Sequence, residues 1–166
     1  NENSSGGALA DFLMRKEIIN SFNNDFFGTF RNYDQFTDRH SPIILILINM
    51  LLKTGLDLDS IRFLHLFVVP LIVLITSKCF ISKYGRKYSN IFFLISSSIF
   101  LSPVIRSISI WPDSRLIGLL FFVLSLFYFL EFRKKIKFKY AIYNNFFLIL
   151  AAYISPNFSV FFIYFF

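Results

Sequence analysis

Long apolar blocks, separated by short polar segments, dominate the chain from residue 43 onwards. Four blocks have lengths near that of a membrane-spanning helix: 61–81, 91–111, 116–132 and 140–154. A fifth block begins near Phe158 and runs to the last residue. Because a spanning helix needs about 20 residues, with a range of roughly 17–25, the pattern predicts an all-α, polytopic transmembrane protein. We expect about four complete spans and one truncated span within 61–166.

The apolar block 43–52 is too short to be a span, since apolar runs of about 10–14 residues are more often interfacial or re-entrant. It divides the first part of the chain into a polar segment, 1–41, and a short interfacial or re-entrant segment with its loop, 42–60. The chain begins without Met and stops inside an apolar run. We therefore expect it to be an internal fragment of a longer membrane protein.

Residues 8–27 carry apolar side chains near helical spacing, which predicts an amphipathic helix on the membrane surface. The apolar face is predicted to contain Leu9, Phe12, Leu13, Ile19, Phe22 and Phe26. Arg15, Lys16 and Glu17 are predicted to lie on the opposite, polar face. The run 23–25, Asn-Asn-Asp, predicts the end of this helix.

The basic residues are concentrated in two loops, 78–90 and 131–139. These loops hold nine of the 17 basic residues and one of the ten acids. Because lysine and arginine in short loops mark the cytoplasmic side, both loops are predicted to lie inside, and segments 106–115 and 155–157 outside. Residues 1–41 are then external, provided that the block 43–52 does not cross. A bacterial inner membrane, with this segment facing the periplasm, is the simplest location.

Composition supports a membrane protein and excludes several other classes. Hydrophobic residues make up 55% of the chain and aromatic residues 20%, against about 45–50% apolar residues in soluble domains. The single cysteine, Cys79, excludes an internal disulfide and a cysteine metal cluster. The net charge of +7 is explained by the two basic loops, so no nucleic-acid partner is predicted.

The predicted outer face collects several groups that could do chemistry: Asp11, Asp34, Asp38, Arg39, His40, Arg106, Asp113 and Arg115. Each could equally belong to a solvated polar rim. Asp11 and Asp113 stand out because ionisable groups at membrane depth are costly and point to function, although Asp113 could also be the N-cap of the following helix. His65 is expected to make an interhelix hydrogen bond, and Trp and Tyr near the segment ends are expected to form interfacial belts.

The order of short motifs along the chain resembles the glycosyltransferase C superfamily. The series comprises "GGALADF", "NYDQFTDRHSP", "GLDLDSIRFLHLFVVPLIVL", "SKCFISKYGRK", "FLSPVIRS" and "WPDSRLIGLLFFVLSLFYFLEF". It is similar to the bacterial relatives of protein O-mannosyltransferases and of lipid A aminoarabinose transferases. Two positions depart from the family pattern: Phe12 stands where several relatives have a second acid, and His40-Ser41-Pro42 replaces His-Pro-Pro.

The resemblance implies an enzyme that transfers a sugar from a polyprenyl-phosphate-linked donor to a lipid, glycan or protein acceptor at the outer face, with inversion. It implies catalytic roles for Asp11 and Asp113. Arg39, Arg106 and Arg115 are candidates for the donor phosphate because guanidinium groups bind phosphate bidentately. His40 is the candidate ligand for a divalent metal ion, which some members bind.

Two other functions remain open at this point. A polysaccharide polymerase or ligase would share the external arginines and many helices, but not an early acid in a loop. A multi-pass transporter subunit would be expected to have broken helices with glycine or charged residues near mid-membrane. Gly118 is the only glycine inside a predicted span.

Overall fold

The computed structural model describes residues 8–36, 38 and 40–165, and over these residues the chain is helical with no β-strand. The prediction of an all-α fold is confirmed. The α-helices are α1 (Ala8–Asn24), α2 (Phe26–Arg31), α3 (Ile43–Lys53), α4 (Leu58–Leu66), α5 (Val68–Tyr84), α6 (Ser89–Ser97), α7 (Pro103–Ile110), α8 (Ser114–Lys135), α9 (Phe138–Ile154) and α10 (Phe162–Phe165). Short 3-10 segments lie at Tyr33–Gln35, Arg86–Tyr88, Ser98–Leu101 and Pro156–Phe161.

Two of the described helices are long and apolar enough to cross a membrane. One is Leu58–Tyr84, which joins α4 and α5 through a single turn residue at Phe67, and the other is α8. Pro70 explains the local turn, because proline has no N–H to donate to the carbonyl of Leu66. These two helices contain the predicted spans 61–81 and 116–132.

The predicted span 91–111 is broken, and its two helical parts are long and apolar enough for a span only when they are taken together. The helical segment that ends at Leu101 and α7 meet at Ser102 with a bend of 74°. Pro103 causes the break, since the residue before a proline avoids the α conformation, and Ser102 is extended with φ −69° and ψ 120°. The Ser102 hydroxyl then accepts a hydrogen bond from the Ile105 N–H at 3.4 Å and starts α7 as its N-cap.

Helix α9 returns along α8 after a tight turn at Ile136 and Lys137. Its 17 residues correspond to about 26 Å at 1.5 Å per residue, the lower limit for a span. The Ser125 hydroxyl donates to the Asn144 side chain at 2.7 Å, and both residues are buried. Such polar pairs between helices stabilise packing where lipid offers no hydrogen-bond partner.

The segment that follows α9 packs closely on Gly118 of α8, near the other end of the helix pair. A Cβ atom built on Gly118 would lie 2.9 Å from both the Phe158 ring and the Ser155 Cβ. Real Cβ atoms do not approach other atoms so closely, so Phe158 and Ser155 can pack directly on the α8 backbone only because residue 118 has no side chain.

Helices α1 and α3 pack on each other beside these longer helices. Their shared core contains Ile18, Ile19, Phe22, Ile44, Leu45 and Ile48. Buried Asn49 donates to the Ile19 carbonyl at 3.2 Å across the interface. The 11 residues of α3 span about 16 Å, roughly half of a bilayer core of about 30 Å. Helix α1 ends at Asn24, as the Asn-Asn-Asp run predicts.

The long helices separate two chemically different ends of the molecule. Asp113 caps the start of α8, and Lys135 ends it 22 residues later, about 33 Å away. The Ser82 hydroxyl donates to Glu131 at 2.7 Å, which joins the last turn of α5 to the last turn of α8. We call this the basic end, because both lysine- and arginine-rich loops meet there, and the other the Asp113 end.

Candidate functional site

Five charged side chains of alternating sign form a continuous chain of ion pairs at the Asp113 end. We call it the ion chain; its members, in order, are Asp38, Arg15, Asp113, Arg115 and Asp11. Arg15 Nε lies 3.0 Å from Asp38 Oδ2, and Arg15 Nη1 lies 3.2 Å from Asp113 Oδ2. Arg115 Nη2 lies 2.7 Å from Asp113 Oδ2 and 3.1 Å from Asp11 Oδ2. One guanidinium therefore contacts both predicted catalytic acids.

Asp113 is the buried centre of the ion chain, with 2% of its surface exposed. Its Oδ1 accepts hydrogen bonds from the Arg115 backbone N–H at 2.7 Å and from Arg115 Nε at 2.9 Å. The first of these makes Asp113 the N-cap of α8. Burial acts to raise the pKa of the Asp113 carboxyl, but the hydrogen bonds from Arg115 and the charge of Arg15 outweigh it and lower the pKa. Asp113 thus holds two arginines and has little capacity to accept a further proton.

Arg15 is buried with 9% exposure, so its predicted place on the polar face of α1 is wrong. It lies on one stripe of the helix with buried Phe12, Ile19 and Phe22, at spacings of three, four and seven residues. Leu13, predicted on the apolar face, is exposed instead. The guanidinium of Arg15 can be buried because Asp38 and Asp113 neutralise it on two sides.

Asp11 has a more exposed side chain than Arg115, its partner in the ion chain. Its side chain is 46% exposed and is held by a single guanidinium, that of Arg115. It borders a cavity of about 330 Å³, whose lining includes Met14, Arg15, Phe36, Asp38 and His40. Ligand pockets in proteins begin at about this size. A carboxylate that faces a cavity from the edge of an ion network can exchange a proton with a bound hydroxyl group.

The segment that carries Asp38 and His40 is fixed by its own hydrogen bonds. The His40 backbone N–H donates to Asp38 Oδ1 at 3.0 Å, and the Tyr33 hydroxyl donates to the His40 carbonyl at 2.9 Å. Burial and the Asp38 charge raise the pKa of Tyr33 to about 12, so Tyr33 remains a donor. Burial and the Arg15 charge lower the pKa of His40, so its imidazole is neutral at pH 7.

His40 lines the same cavity as Asp11 and Asp38. Its Nδ1 atom is buried and makes no hydrogen bond to any described residue. Within the described part of the chain, no group of three His, Cys, Asp or Glu side chains is placed to hold a metal ion. The predicted role of His40 as a metal ligand stays a prediction.

Trp111 anchors the ion chain rather than forming an interfacial belt, and that expectation is wrong for this residue. Its buried ring lies between the Arg62 guanidinium, 3.8 Å from the ring centroid, and the Phe12 ring, at 5.2 Å. Arg62 Nε also donates to the Ile110 carbonyl at 3.3 Å. Because Phe12 follows Asp11 and Trp111 precedes Asp113 by two residues, this stack fixes the separation of the two acids.

His65 makes the interhelix hydrogen bond expected from the sequence. Its Nε2 lies 3.0 Å from the Ile108 carbonyl on α7. The same nitrogen lies 3.4 Å from the Asp113 backbone nitrogen. His65 therefore joins α4 to α7 through its bond to the Ile108 carbonyl, next to the start of α8.

Of the two remaining predicted phosphate ligands, one lies apart from the ion chain and the other lies outside the described residues. Arg106 is exposed on α7, and the described contacts of the ion chain do not include it. Arg39 lies outside the described residues. Of the three arginines predicted to bind phosphate, the structure brings Arg115 to the predicted acids, and it adds Arg15, which the sequence did not suggest.

The lowered pKa of Asp113 has a consequence for stability at acid pH. A carboxyl with a depressed folded-state pKa contributes stability above its ordinary value of 3.8, and that contribution is lost as the pH falls through the folded-state pKa. We expect the difference in thermal stability between wild type and Asp113→Asn to be constant above pH 5 and to shrink below pH 3.8. Thermal unfolding in detergent, followed by far-UV circular dichroism, measures it. A difference that grows towards pH 3 would contradict this assignment.

Comparison with protein-family models, with curated proteins and with solved structures gives no match to this chain.

Proposed function

We propose that the protein is a membrane glycosyltransferase, which transfers a sugar from a polyprenyl-phosphate-linked donor to an acceptor hydroxyl. The observation that carries the proposal is the ion chain. The half-exposed Asp11 carboxylate and the Arg15 guanidinium border one cavity, and Arg115 pairs with Asp11, at one end of helices that are long enough to cross a membrane. A lipid-linked phosphate and a polar acceptor meet at such a boundary.

In the proposed reaction, Asp11 acts as the general base. It takes the proton of the acceptor hydroxyl as the hydroxyl oxygen forms its bond to the anomeric carbon. The bond between that carbon and the phosphate oxygen breaks, and the lipid phosphate leaves with the electron pair. The configuration at the anomeric carbon is inverted because attack and departure occur on opposite faces.

Arg115 and Arg15 are proposed to stabilise the leaving phosphate. Guanidinium groups pair with phosphate oxygens through charge-assisted hydrogen bonds. Arg115 still exposes 39% of its side chain while it contacts Asp113 and Asp11. Asp113 is proposed to act as a positioning residue that orients both arginines, in place of the second catalytic acid that the resemblance implies.

The donor requirement can be tested directly. Membranes that contain the full-length protein are incubated with a polyprenyl-phosphate sugar labelled in the sugar, and release of polyprenyl phosphate is measured together with transfer of label. We expect consumption of the lipid-linked donor, no consumption of the corresponding sugar nucleotide, and neither reaction in membranes without the protein. Use of the sugar nucleotide alone would contradict the proposal.

The proposal also requires that the Asp113 end face outwards. The basic end, about 33 Å away along α8, carries the lysines and arginines that mark the cytoplasmic side. A probe at Ser107, in the segment predicted to be external, is unsuitable because Ser107 is buried. Asp59 at the start of α4 and Lys87 beyond α5 are exposed and lie at opposite ends of the helix Leu58–Tyr84.

We expect Asp59→Cys to react with a membrane-impermeant maleimide in intact cells, and Lys87→Cys to react only after the cells are permeabilised. Labelling is measured as a mass shift on gels. The native Cys79 is buried, so the parent protein serves as the unlabelled control. The reverse pattern would place the ion chain in the cytoplasm and exclude a donor used at the outer face.

A transporter is the second candidate, and the break at Ser102–Pro103 favours it, because transporters bind substrates at broken helices. The ion chain does not lie at this break. It lies beyond the other end of α7, whose eight residues extend about 12 Å. Uptake of a labelled sugar phosphate by proteoliposomes, without breakage of its phosphate bond, would favour transport over transfer.

A further inference from the structure

The turn between α8 and α9 combines exposed apolar side chains with lysines in an unusual way. Its sequence, residues 134–139, is Lys-Lys-Ile-Lys-Phe-Lys. Ile136 is 82% exposed and Phe138 is 77% exposed. All four lysines of the segment are exposed as well. Exposure of two large apolar side chains to water at a tight turn is unfavourable.

The backbone of Ile136 makes this choice of residue more informative. Ile136 caps the C-terminus of α8 in the left-handed conformation, with φ 50° and ψ 37°. Glycine or asparagine normally takes this position, because a β-branched side chain is strained there. The exposed isoleucine therefore lowers the stability of the isolated turn. The strain is offset if the Ile136 side chain gains free energy by contact with an apolar phase outside the protein.

The charges around the turn indicate what kind of surface provides this apolar environment. The only acid in the two basic loops is Glu131, and it already pairs with Lys135 and Ser82. The Ser82–Glu131 hydrogen bond also joins the end of α8 to the end of α5, which is followed by Arg86 and Lys87 in the 3-10 segment Arg86–Tyr88. Tyr140, whose ring lies 5.3 Å from the Lys135 and Lys139 ammonium groups, adds an amphipathic side chain suited to a membrane boundary.

We propose that residues 134–139 form a docking turn for anionic phospholipids, independent of the proposed function at the opposite end. Ile136 and Phe138 enter the boundary between headgroups and acyl chains, and the lysines around them contact the negatively charged headgroups. Burial of apolar side chains together with electrostatic attraction is the general basis of binding at the membrane interface. Zwitterionic lipid would satisfy the apolar groups but would leave the excess positive charge without a partner.

The test uses the full-length protein in vesicles and a tryptophan reporter. The substitution Trp111→Phe removes the single tryptophan of these 166 residues, any tryptophan outside them is replaced in the same way, and Phe138→Trp supplies the reporter. Its quenching is compared between vesicles with brominated phosphatidylglycerol and vesicles with brominated phosphatidylcholine at the same mole fraction. We expect phosphatidylglycerol to associate at least about threefold more strongly, on the order of the attraction of one basic side chain to an anionic surface. In 1 M salt, where charges are screened within about 3 Å, the preference should disappear.

Variants of the turn separate lipid docking from folding. The triple variant Lys134→Gln, Lys137→Gln, Lys139→Gln should lose the preference for phosphatidylglycerol. Ile136→Asn should leave thermal stability unchanged or higher, since asparagine tolerates the left-handed conformation, while the reporter emission shifts to longer wavelength as the turn withdraws from the bilayer. The matched control places the reporter at Ile149, an exposed residue on the same helix, where both lipids should quench equally. Equal quenching by the two lipids at position 138 would overturn the proposal, as would a preference that persists in the triple variant.

Discussion

Asp11→Asn is expected to abolish sugar transfer while the protein still inserts into the membrane and folds. Asparagine is nearly the same size as aspartate and can still accept a hydrogen bond from Arg115, but its amide cannot take up a proton. Loss of a general base lowers rates by roughly two to four orders of magnitude. The measurement is the rate of polyprenyl-phosphate release from the labelled donor, with saturating acceptor. Because the side chain of Asp11 is 46% exposed, we expect little change in thermal stability.

The matched control for this prediction is Asp34→Asn. Asp34 is an exposed aspartate in the 3-10 segment Tyr33–Gln35, near the ion chain in sequence but outside it. Its replacement should leave the rate of transfer within about twofold of wild type. A fully active Asp11→Asn protein would remove Asp11 from the mechanism, and equal losses in the two variants would indicate a general effect of surface charge.

Asp113→Asn is expected to have the largest effect on stability. Asp113 neutralises two guanidinium groups from a position with 2% exposure. Removal of one partner from a buried ion pair typically costs 3–5 kcal/mol, because it leaves the other charge uncompensated. Arg15 keeps Asp38 and Arg115 keeps Asp11, so we expect the lower end of this range, about 3 kcal/mol. Denaturation in detergent, followed by circular dichroism, provides the measurement.

Two further variants divide this cost into its causes. Asparagine still caps a helix, whereas Asp113→Ala also removes the cap and should cost about 1 kcal/mol more. Asp59→Asn breaks an exposed ion pair with Arg62 at 3.1 Å and should cost less than about 1 kcal/mol. If Asp113→Asn were as mild as Asp59→Asn, the central position assigned to Asp113 would be incorrect.

The sequence was sufficient to predict an all-α fold and to place Asp11 and Asp113 at the same end of the molecule. Apolar blocks 61–81 and 116–132 are recognisable from composition alone, since hydropathy reports the solvent that a helix prefers. The charge distribution placed both acids at one end, although 102 positions separate them. In the structure both contact Arg115, and the N-cap suggested for Asp113 is formed.

The places of Arg15 and Asp38 in the ion chain could not be predicted from the sequence, because their partners are distant along the chain. A charged residue on an amphipathic helix is normally placed on the solvated face, and only the opposing acids make burial of Arg15 possible. The helical register did contain a signal, since Arg15 lies three residues after Phe12 and seven before Phe22. Asp38 carries no local signal, because its contact with Arg15 arises only when the segment after α2 folds back over α1.

The break at Ser102 was missed for a different reason. A hydropathy window adds apolar residues and takes no account of hydrogen bonds, so the run 91–111 scored as one span. The Ser102-Pro103 pair is nevertheless a known helix-start signal, and it ends one helix as it begins the next. Trp111 was likewise assigned to the interface by residue type, whereas Arg62 and Phe12 enclose it.

The close packing of Phe158 and Ser155 on Gly118 also determines the direction in which the side chains of the first turn of α8 point. Gly118 lies three residues after Arg115, and the Phe158 ring and Ser155 fill the space where its side chain would be. Rotation of α8 about its axis by one residue, about 100°, would drive a neighbouring side chain into that ring. Gly118, one turn away and without a side chain, therefore fixes the direction in which the Arg115 guanidinium points and hence its contacts with both acids.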